Sequence, residues 1–372
     1  MIIFPIILVF VLFANYYIGW HGAFIISYFS LPIPIILYWV LFWVVSFSYV
    51  LGRIIPGPIG RLIKVMGSIY FAFMQYSLIL LILMDLSAWI MNLSGISPTQ
   101  YVPILLVVYL ILLIIVFGIG SFMAWSPIKR TYNVHINKKA GSLKELKIAV
   151  ASDLHLGNIV GNRHLSKLVK EFQAMQPDLI LLVGDVLDDV IEPFLRNKMV
   201  DKLKLLQARY GTYAVLGNHE YIGKDIKRYV KEMKSIQIPV LRDQTILVED
   251  SFYIVGRKDK TAERADPDGR LSMLDLVKDV DPSLPIIAMD HQPHQFDKAL
   301  AAGVDILLCG HTHRGQMAPN HLITKRLFEL DWGYILKEKM HVIVSSGFGL
   351  WGPPIRLGSR SEFIELTVTF DE

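Results

Sequence analysis

Hydrophobic and polar positions divide this chain near residue 127. Before that point apolar residues run in long, almost uncharged stretches. After it, short apolar runs of strand length alternate with amphipathic patterns of helix length. Four early stretches, residues 2–17, 33–51, 65–84 and 102–125, approach the length of about 20 apolar residues that crosses a bilayer. The later part predicts strands over 147–152, 179–184 and 212–216, with helices over 163–175, 193–209 and 224–235. Further strands are expected at 240–241, 246–248, 251–255, 285–289, 304–309, 341–345 and 362–370. Runs such as Leu179-Ile180-Leu181-Leu182-Val183 lack the alternation of a half-exposed strand and read as central strands buried on both faces. Residues 131–146 are polar and basic, a linker or first edge strand, and residues 257–270 read as a charged surface loop whose functional alternative is a lid.

Composition sharpens the division. The chain of 372 residues is 53% hydrophobic and 19% charged, yet Arg53, Arg61, Lys64 and Asp85 are the charged side chains before residue 128. We therefore expect a transmembrane helical domain at 1–127, a basic linker at 128–146 and a folded domain at 147–372. The first stretch lacks a basic start and a small-residue cleavage site, so it reads as a retained helix rather than a signal peptide. Trp20, Tyr28, Trp89, Tyr101 and Trp125 fall near expected span ends, as interfacial anchors do. Basic residues gather at 52–64 and after residue 128, whereas loops 21–31 and 92–100 have none. By the positive-inside rule the chain is then a multi-pass protein of the cell membrane, with the N-terminus and the large domain on the cytoplasmic side. If the first stretch does not cross, the N-terminus moves outside. Asp85 reads as a solvated residue at the outer end of the third span, with an intramembrane functional carboxylate as the alternative. Net charge is +4 with no basic stripe, which argues against a nucleic-acid partner, and the lone Cys309 excludes an internal disulfide.

Five segments then put Asp, His or Asn at the ends of apolar runs: Asp153-Leu154-His155, Gly184-Asp185, Gly217-Asn218-His219-Glu220, Asp290-His291-Gln292-Pro293 and Gly310-His311-Thr312-His313. They hold five of the eleven histidines. Carboxylates, imidazoles and one amide carbonyl, with no thiolate, suit borderline and hard divalent ions. Spacings of two in Asp153/His155 and His311/His313 would turn alternate side chains of a strand end to one side. Asp185 follows a glycine that lets the backbone turn off its strand, where its carboxylate can bridge two metals. Two ions about 4 Å apart clamp the oxygens of a phosphoryl transfer and acidify a bridging water. No Ser or Cys nucleophile is needed, and none stands out.

In order and spacing these segments resemble the calcineurin-like metallophosphoesterases, over about residue 147 to the C-terminus. The stretch from Ser345-Ser346-Gly347 to Trp351-Gly352-Pro353-Pro354-Ile355-Arg356 is similar to its membrane-anchored branch of transmembrane phosphoesterases and bacterial YkuE- and YaeI-like enzymes. The resemblance implies an α/β fold, a four-layer α/β/β/α sandwich with a dinuclear site at the strand ends. It implies that Asp153, His155 and His313 bind one metal, that Asn218, His291 and His311 bind the other, and that Asp185 bridges. His219 is then a catalytic residue that protonates the leaving oxygen or stabilises the transition state. The metals would be manganese, iron or zinc. Asp188 and Asp189 are candidates for orienting a ligand histidine, or ordinary loop acids. Glu220 would fix the loop after His219, and Arg314 and Arg356 are candidates for substrate phosphate. His294 is expected at a helix end, and the remaining histidines are read as structural.

The expected activity is metal-dependent hydrolysis of a phosphodiester or pyrophosphate. Four spans exceed what tethering requires, which favours a lipid-linked substrate, with UDP-2,3-diacylglucosamine as the named example. The competing class, a non-catalytic sensor that uses the same fold to bind metal or phosphate, would need a damaged motif, and every motif is intact. A transporter reading of the membrane half lacks the paired broken helices and polar midplane it requires.

Overall fold

The structure is a computed structural model describing residues 3–55 and 57–371; Ile2, the first residue of the first expected span, lies outside them. It forms two compact units, one of Met1–Phe122 with Gly352–Ile355 and one of Met123–Trp351 with Arg356–Glu372.

The first unit is helical: α1 Ile3–Tyr28, α2 Ile35–Ser46, α3 Ser48–Ile54, α4 Gly57–Leu93 and α5 Pro98–Trp125. Three are long and apolar enough to cross a membrane, and α2 with α3 makes a pair bent by 63°, so the spans number three or up to four. Large apolar side chains cover the outside, Ile36 at 77% and Ile114 at 71% exposure among them, a surface that suits lipid rather than water. Two expectations change. The second span is not one helix over 33–51 but breaks at Phe47. The loops are also shorter, because α1 continues to Tyr28 and α4 takes in residues 57–64 of the expected middle loop. At 37 residues α4 is about 55 Å long, well beyond a hydrocarbon core of about 30 Å. Asp85 is not merely solvated: it accepts from Tyr17 Oη at 2.5 Å and lies 3.2 Å from His21 Nε2, joining α4 to α1.

Among the described residues the second unit holds twelve strands in two sheets. The first sheet has the order β1-β12-β2-β3-β4-β5, with β1 Ile128–Ile136, β2 Glu145–Ala151, β3 Leu179–Val183, β4 Thr212–Val215, β5 Val240–Leu241 and β12 Glu362–Phe370. The second runs β10-β11-β9-β8-β7-β6, with β6 Gln244–Val248, β7 Phe252–Gly256, β8 Ile286–Met289, β9 Ile306–Cys309, β10 Gly333–Lys337 and β11 Met340–Val344. Strands β2 to β5 are parallel, as are β7, β8, β9 and β11. Alternation assigns each side chain to a layer. Ile148, Val150, Leu181 and Val183 meet Ile254, Ile287, Met289 and Leu308 between the sheets. Ala149, Ala151, Ile180 and Leu182 face outward onto helix α6 Asn162–Met175 and its neighbours, through Leu165, Leu168 and Phe172. Ile286, Ala288, Leu307 and Cys309 cover the other outer face with Met273, Leu276 and Phe296. This is the expected α/β/β/α sandwich, and its two inner sheets bring the ends of β2, β3, β4, β8 and β9 together.

The helix expected at 193–209 is instead two short ones, α7 Ile191–Arg196 and α8 Met199–Leu203, split where Lys198 takes φ +49°. Within the basic segment β1 is an edge strand, parallel to β12 from Ile128↔Glu362 to Ile136↔Phe370.

Candidate metal centre

Five strand ends supply the predicted residues. Asp153 and His155 follow β2, Asp185 follows β3, Asn218 and His219 open the short helix α9 Asn218–Gly223 after β4, His291 follows β8, and His311 and His313 follow β9. All eight converge. Ligating atoms of Asp153, His155 and His313 lie within 4.8 Å of one another, as do those of Asp185, His291 and His311, and of His155, Asp185 and His219. Asn218 joins through Oδ1, 2.8 Å from His311 Nδ1.

The two-residue spacings do not work as strand alternation. Asp153 (φ 54°), His155 (45°), Asp185 (50°), His311 (74°) and His313 (48°) all lie past their strands in the left-handed region. Each such residue costs about 1–3 kcal/mol and persists only where its surroundings over-determine it. Here they do. His311 N donates to Asp153 Oδ1 at 2.9 Å, sewing the β9 loop to the β2 loop, and His219 N donates to Asp185 Oδ1 at 2.8 Å. The buried Glu220 accepts from Leu187 N (2.9 Å), Gly217 N (2.7 Å) and Asp185 N (3.2 Å), so it fixes the loop after β3 and the turn before His219 rather than the loop after His219. Close approach dictates the glycines: a Cβ on Gly310 would collide with Asp153 Oδ2, and one on Gly184 (φ 81°) would sit 2.5 Å from His291 Nδ1.

The donor chemistry fits a divalent ion. His291 Nδ1 donates to Val183 O at 2.8 Å, which turns Nε2 toward Asp185 Oδ2, 3.0 Å away. Burial lowers the ring's pKa, but the charge and hydrogen bond of Asp185, then the charge of Asp153, carry it well above the usual imidazole range, so the pair favours a cation between its members, a proton or a divalent ion. Asp185 Oδ2 is also 4.0 Å from His155 Nε2, so one carboxylate stands between the two histidine groups. His155 Nε2 and His313 Nε2 face each other at 3.0 Å. Burial, then the charges of nearby cationic side chains, pushes His155 down to about 3 and His313 well below the usual imidazole range, so both rings are neutral. Burial raises Asp185, but the ion pair with His291 outweighs it and holds the carboxyl ionised.

His219 is held differently. Burial lowers its pKa, but the 2.7 Å hydrogen bond from Nδ1 to Asp189 and the charges of Asp185, Asp189 and Asp188 carry it up to about 9. Of the two candidate acids, Asp189 thus orients His219, while Asp188 Oδ1 stands 3.9 Å from His155 Nδ1. Arg356 is no substrate contact. It is fully buried, donates to the carbonyls of Ser346, Gly347 and Gly349, and places Nη2 3.1 Å from His313 Nδ1, so it positions that ring. Arg314 stacks on Trp332 instead of entering the cluster.

Sequence reasoning missed three supports. Arg257 and Arg270, at the two ends of the supposed surface loop, pair with the buried Asp290 at 3.0 and 3.2 Å and anchor the residue before His291. Buried Gln316 clamps the Trp351 backbone, Oε1 accepting from N and Nε2 donating to O. Trp351, 57% exposed, thereby stands with its ring 6.3 Å from that of His219. None had a signal in the sequence: Arg257 and Arg270 lie 33 and 20 residues before Asp290.

Residues 146–315 match the family model described as calcineurin-like phosphoesterase. Among curated relatives, the chain is 31% identical over 256 residues to a transmembrane protein with metallophosphoesterase domain from Bos taurus, a match over 65% of this chain and 57% of that one. It is 30% identical over 227 residues to an uncharacterised metallophosphoesterase of Aquifex aeolicus, covering 60% of this chain and 85% of that one. The chain spans little over half the length of the vertebrate relatives it matches. Among solved structures, a dimetal phosphatase from Danio rerio aligns over 61% of this chain and 99% of that one, at 12% identity and a TM-score of 0.34.

Proposed function

Because the chain belongs to the calcineurin-like metallophosphoesterase family, we propose that it is a membrane-anchored hydrolase of phosphodiester or pyrophosphate bonds that works with two divalent ions. The observation that carries this reading is the convergence of Asp153, His155, Asp185, Asn218, His291, His311 and His313 on strained, mutually bonded strand ends. In this assignment Asp153, His155 and His313 hold one ion, Asn218, His291 and His311 the other, and Asp185 both. Manganese, iron and zinc all suit the donor set. Bound there, the ions would supply an acidified water as nucleophile and neutralise charge developing on the phosphoryl oxygens.

The remaining steps fall to side chains. His219 is protonated at neutral pH, and with Nδ1 tied to Asp189 its Nε2 proton is the one offered to the leaving oxygen. Arg356 keeps the His313 ring in place from beneath. Trp351 offers a flat apolar surface beside His219, suited to the non-phosphate part of a substrate. A lipid-linked pyrophosphate such as UDP-2,3-diacylglucosamine is the substrate we favour, because three or four apolar spans exceed the needs of a tether, and the basic residues at 52–64 and after 128 favour the cytoplasmic side for the site. The test is turnover of bis(p-nitrophenyl) phosphate by the full chain in detergent, after chelation and metal readdition. Metal-restored activity that Asp185→Ala abolishes is expected; unchanged turnover in that variant contradicts the assignment.

A further inference from the structure

Away from the metal cluster, the second unit carries a cavity of about 280 Å³ whose lining includes Arg130, Arg314 and Arg360 together with Trp332 and Ser346. No residue of the metal cluster lines it. The arginines come from three distant parts of the chain: β1, the turn directly after His313, and the approach to β12. Each is held in place. Buried Glu362 accepts from Trp332 Nε1 at 3.0 Å, from Arg130 Nε at 3.2 Å and from Ser346 N at 2.8 Å. Two guanidinium groups lie over the fixed indole, with Arg314 Cζ 4.1 Å and Arg130 Cζ 5.1 Å from the ring centroid. Arg360 donates from Nε to Ser126 O at 2.9 Å and from Nη2 to Ser126 Oγ at 3.0 Å. Among the described residues no carboxylate pairs with Arg314.

Guanidinium groups gathered in this way repel one another, and stacking on one indole keeps them from dispersing. An anion with several acceptor oxygens relieves that repulsion, and a phosphate group matches the planar donor forks of arginine in geometry as well as charge. We propose that this cavity is a second phosphate-binding site, distinct from the metal centre, which takes a phosphomonoester group without cleaving it. Chain continuity bears on its source. Met123, in the last turn of apolar α5, lines the cavity, and Ser126, which holds Arg360, directly follows the end of that helix. Interfacial arginines and tryptophans at the end of a membrane helix lie at the depth of lipid headgroups.

Native mass spectrometry of the full chain released from detergent tests this, with phosphatidic acid, phosphatidylcholine and glycerol 3-phosphate as separate probes. The expected result is a one-to-one phosphatidic acid adduct that R314Q weakens about tenfold and R314Q/R360Q removes. The Arg314 guanidinium makes no hydrogen bond that folding depends on, so the single variant keeps the test open if the double one fails to fold. A glycerol 3-phosphate adduct with the same arginine dependence supports the site with a soluble ligand as its source. Adducts of equal strength in wild type and R314Q, or equal binding of phosphatidylcholine and phosphatidic acid, overturn the proposal. Because the readout is binding, it is independent of whether the metal centre hydrolyses anything.

Discussion

His219 differs from its seven neighbours in having a carboxylate partner of its own, Asp189, on the nitrogen that faces away from them. A general acid works protonated, so activity falls as pH rises through its pKa. Asp189→Asn removes the hydrogen bond and a charge that keep that pKa near 9, so the alkaline limb of the kcat profile should move to lower pH; an unmoved limb with reduced kcat would mean Asp189 is merely structural. His219→Ala should cut kcat about 10²–10⁴-fold on a substrate with a poor leaving group, and much less on p-nitrophenolate esters, which leave without a proton. The ligating residues were legible in sequence because each ends an apolar run. Asp189 was not, since nothing in Val186-Leu187-Asp188-Asp189 says which acid turns inward. Arg356 was misread for a related reason: an arginine after a Gly/Pro loop looks like a phosphate contact until its donors are found spent on backbone carbonyls.

Buried parallel strands were read correctly as elements, because runs such as Leu179–Val183 are apolar on both faces. Elements whose pattern is diluted were not: β10 alternates in burial and lies at a sheet edge, and the helix at 193–209 breaks where Lys198 goes left-handed. The segment 257–270 is the instructive case, since fourteen mostly polar residues read as solvent-facing although Arg257 and Arg270 are buried against Asp290. Removing one partner of a buried ion pair typically costs about 3–5 kcal/mol. Arg270→Met should therefore lower the unfolding free energy by a few kcal/mol while Arg257 still holds Asp290, and a denaturant melt without change would assign that loop no anchoring role. Gly310→Ala should lose metal affinity and some stability together, because its Cβ meets both the Asp153 carboxylate and the buried Ser152 side chain; metal titration and a denaturant melt of the variant check this.

At the scale of the molecule, the composition step near residue 127 announced an apolar helical part and a separate folded domain, and the family resemblance implied the sandwich whose sheets pool five strand ends into one centre. What it left open is set by tertiary packing: the bend at Phe47, the length of α4 and the α1–α4 bond through Asp85 have no counterpart in hydropathy alone. The membrane half predicts a substrate preference. Trp351→Ala should raise KM for an acylated pyrophosphate several-fold and leave KM for a chromogenic diester nearly unchanged; equal effects on both would detach Trp351 from substrate selection. The central claim is that seven side chains hold two ions with Asp185 shared between them. Metal stoichiometry of the purified full chain, measured by inductively coupled plasma mass spectrometry beside Asp185→Ala, tests it most directly. Two divalent ions per chain, falling to one or none in the variant, is the predicted result; two ions retained without Asp185 would contradict it.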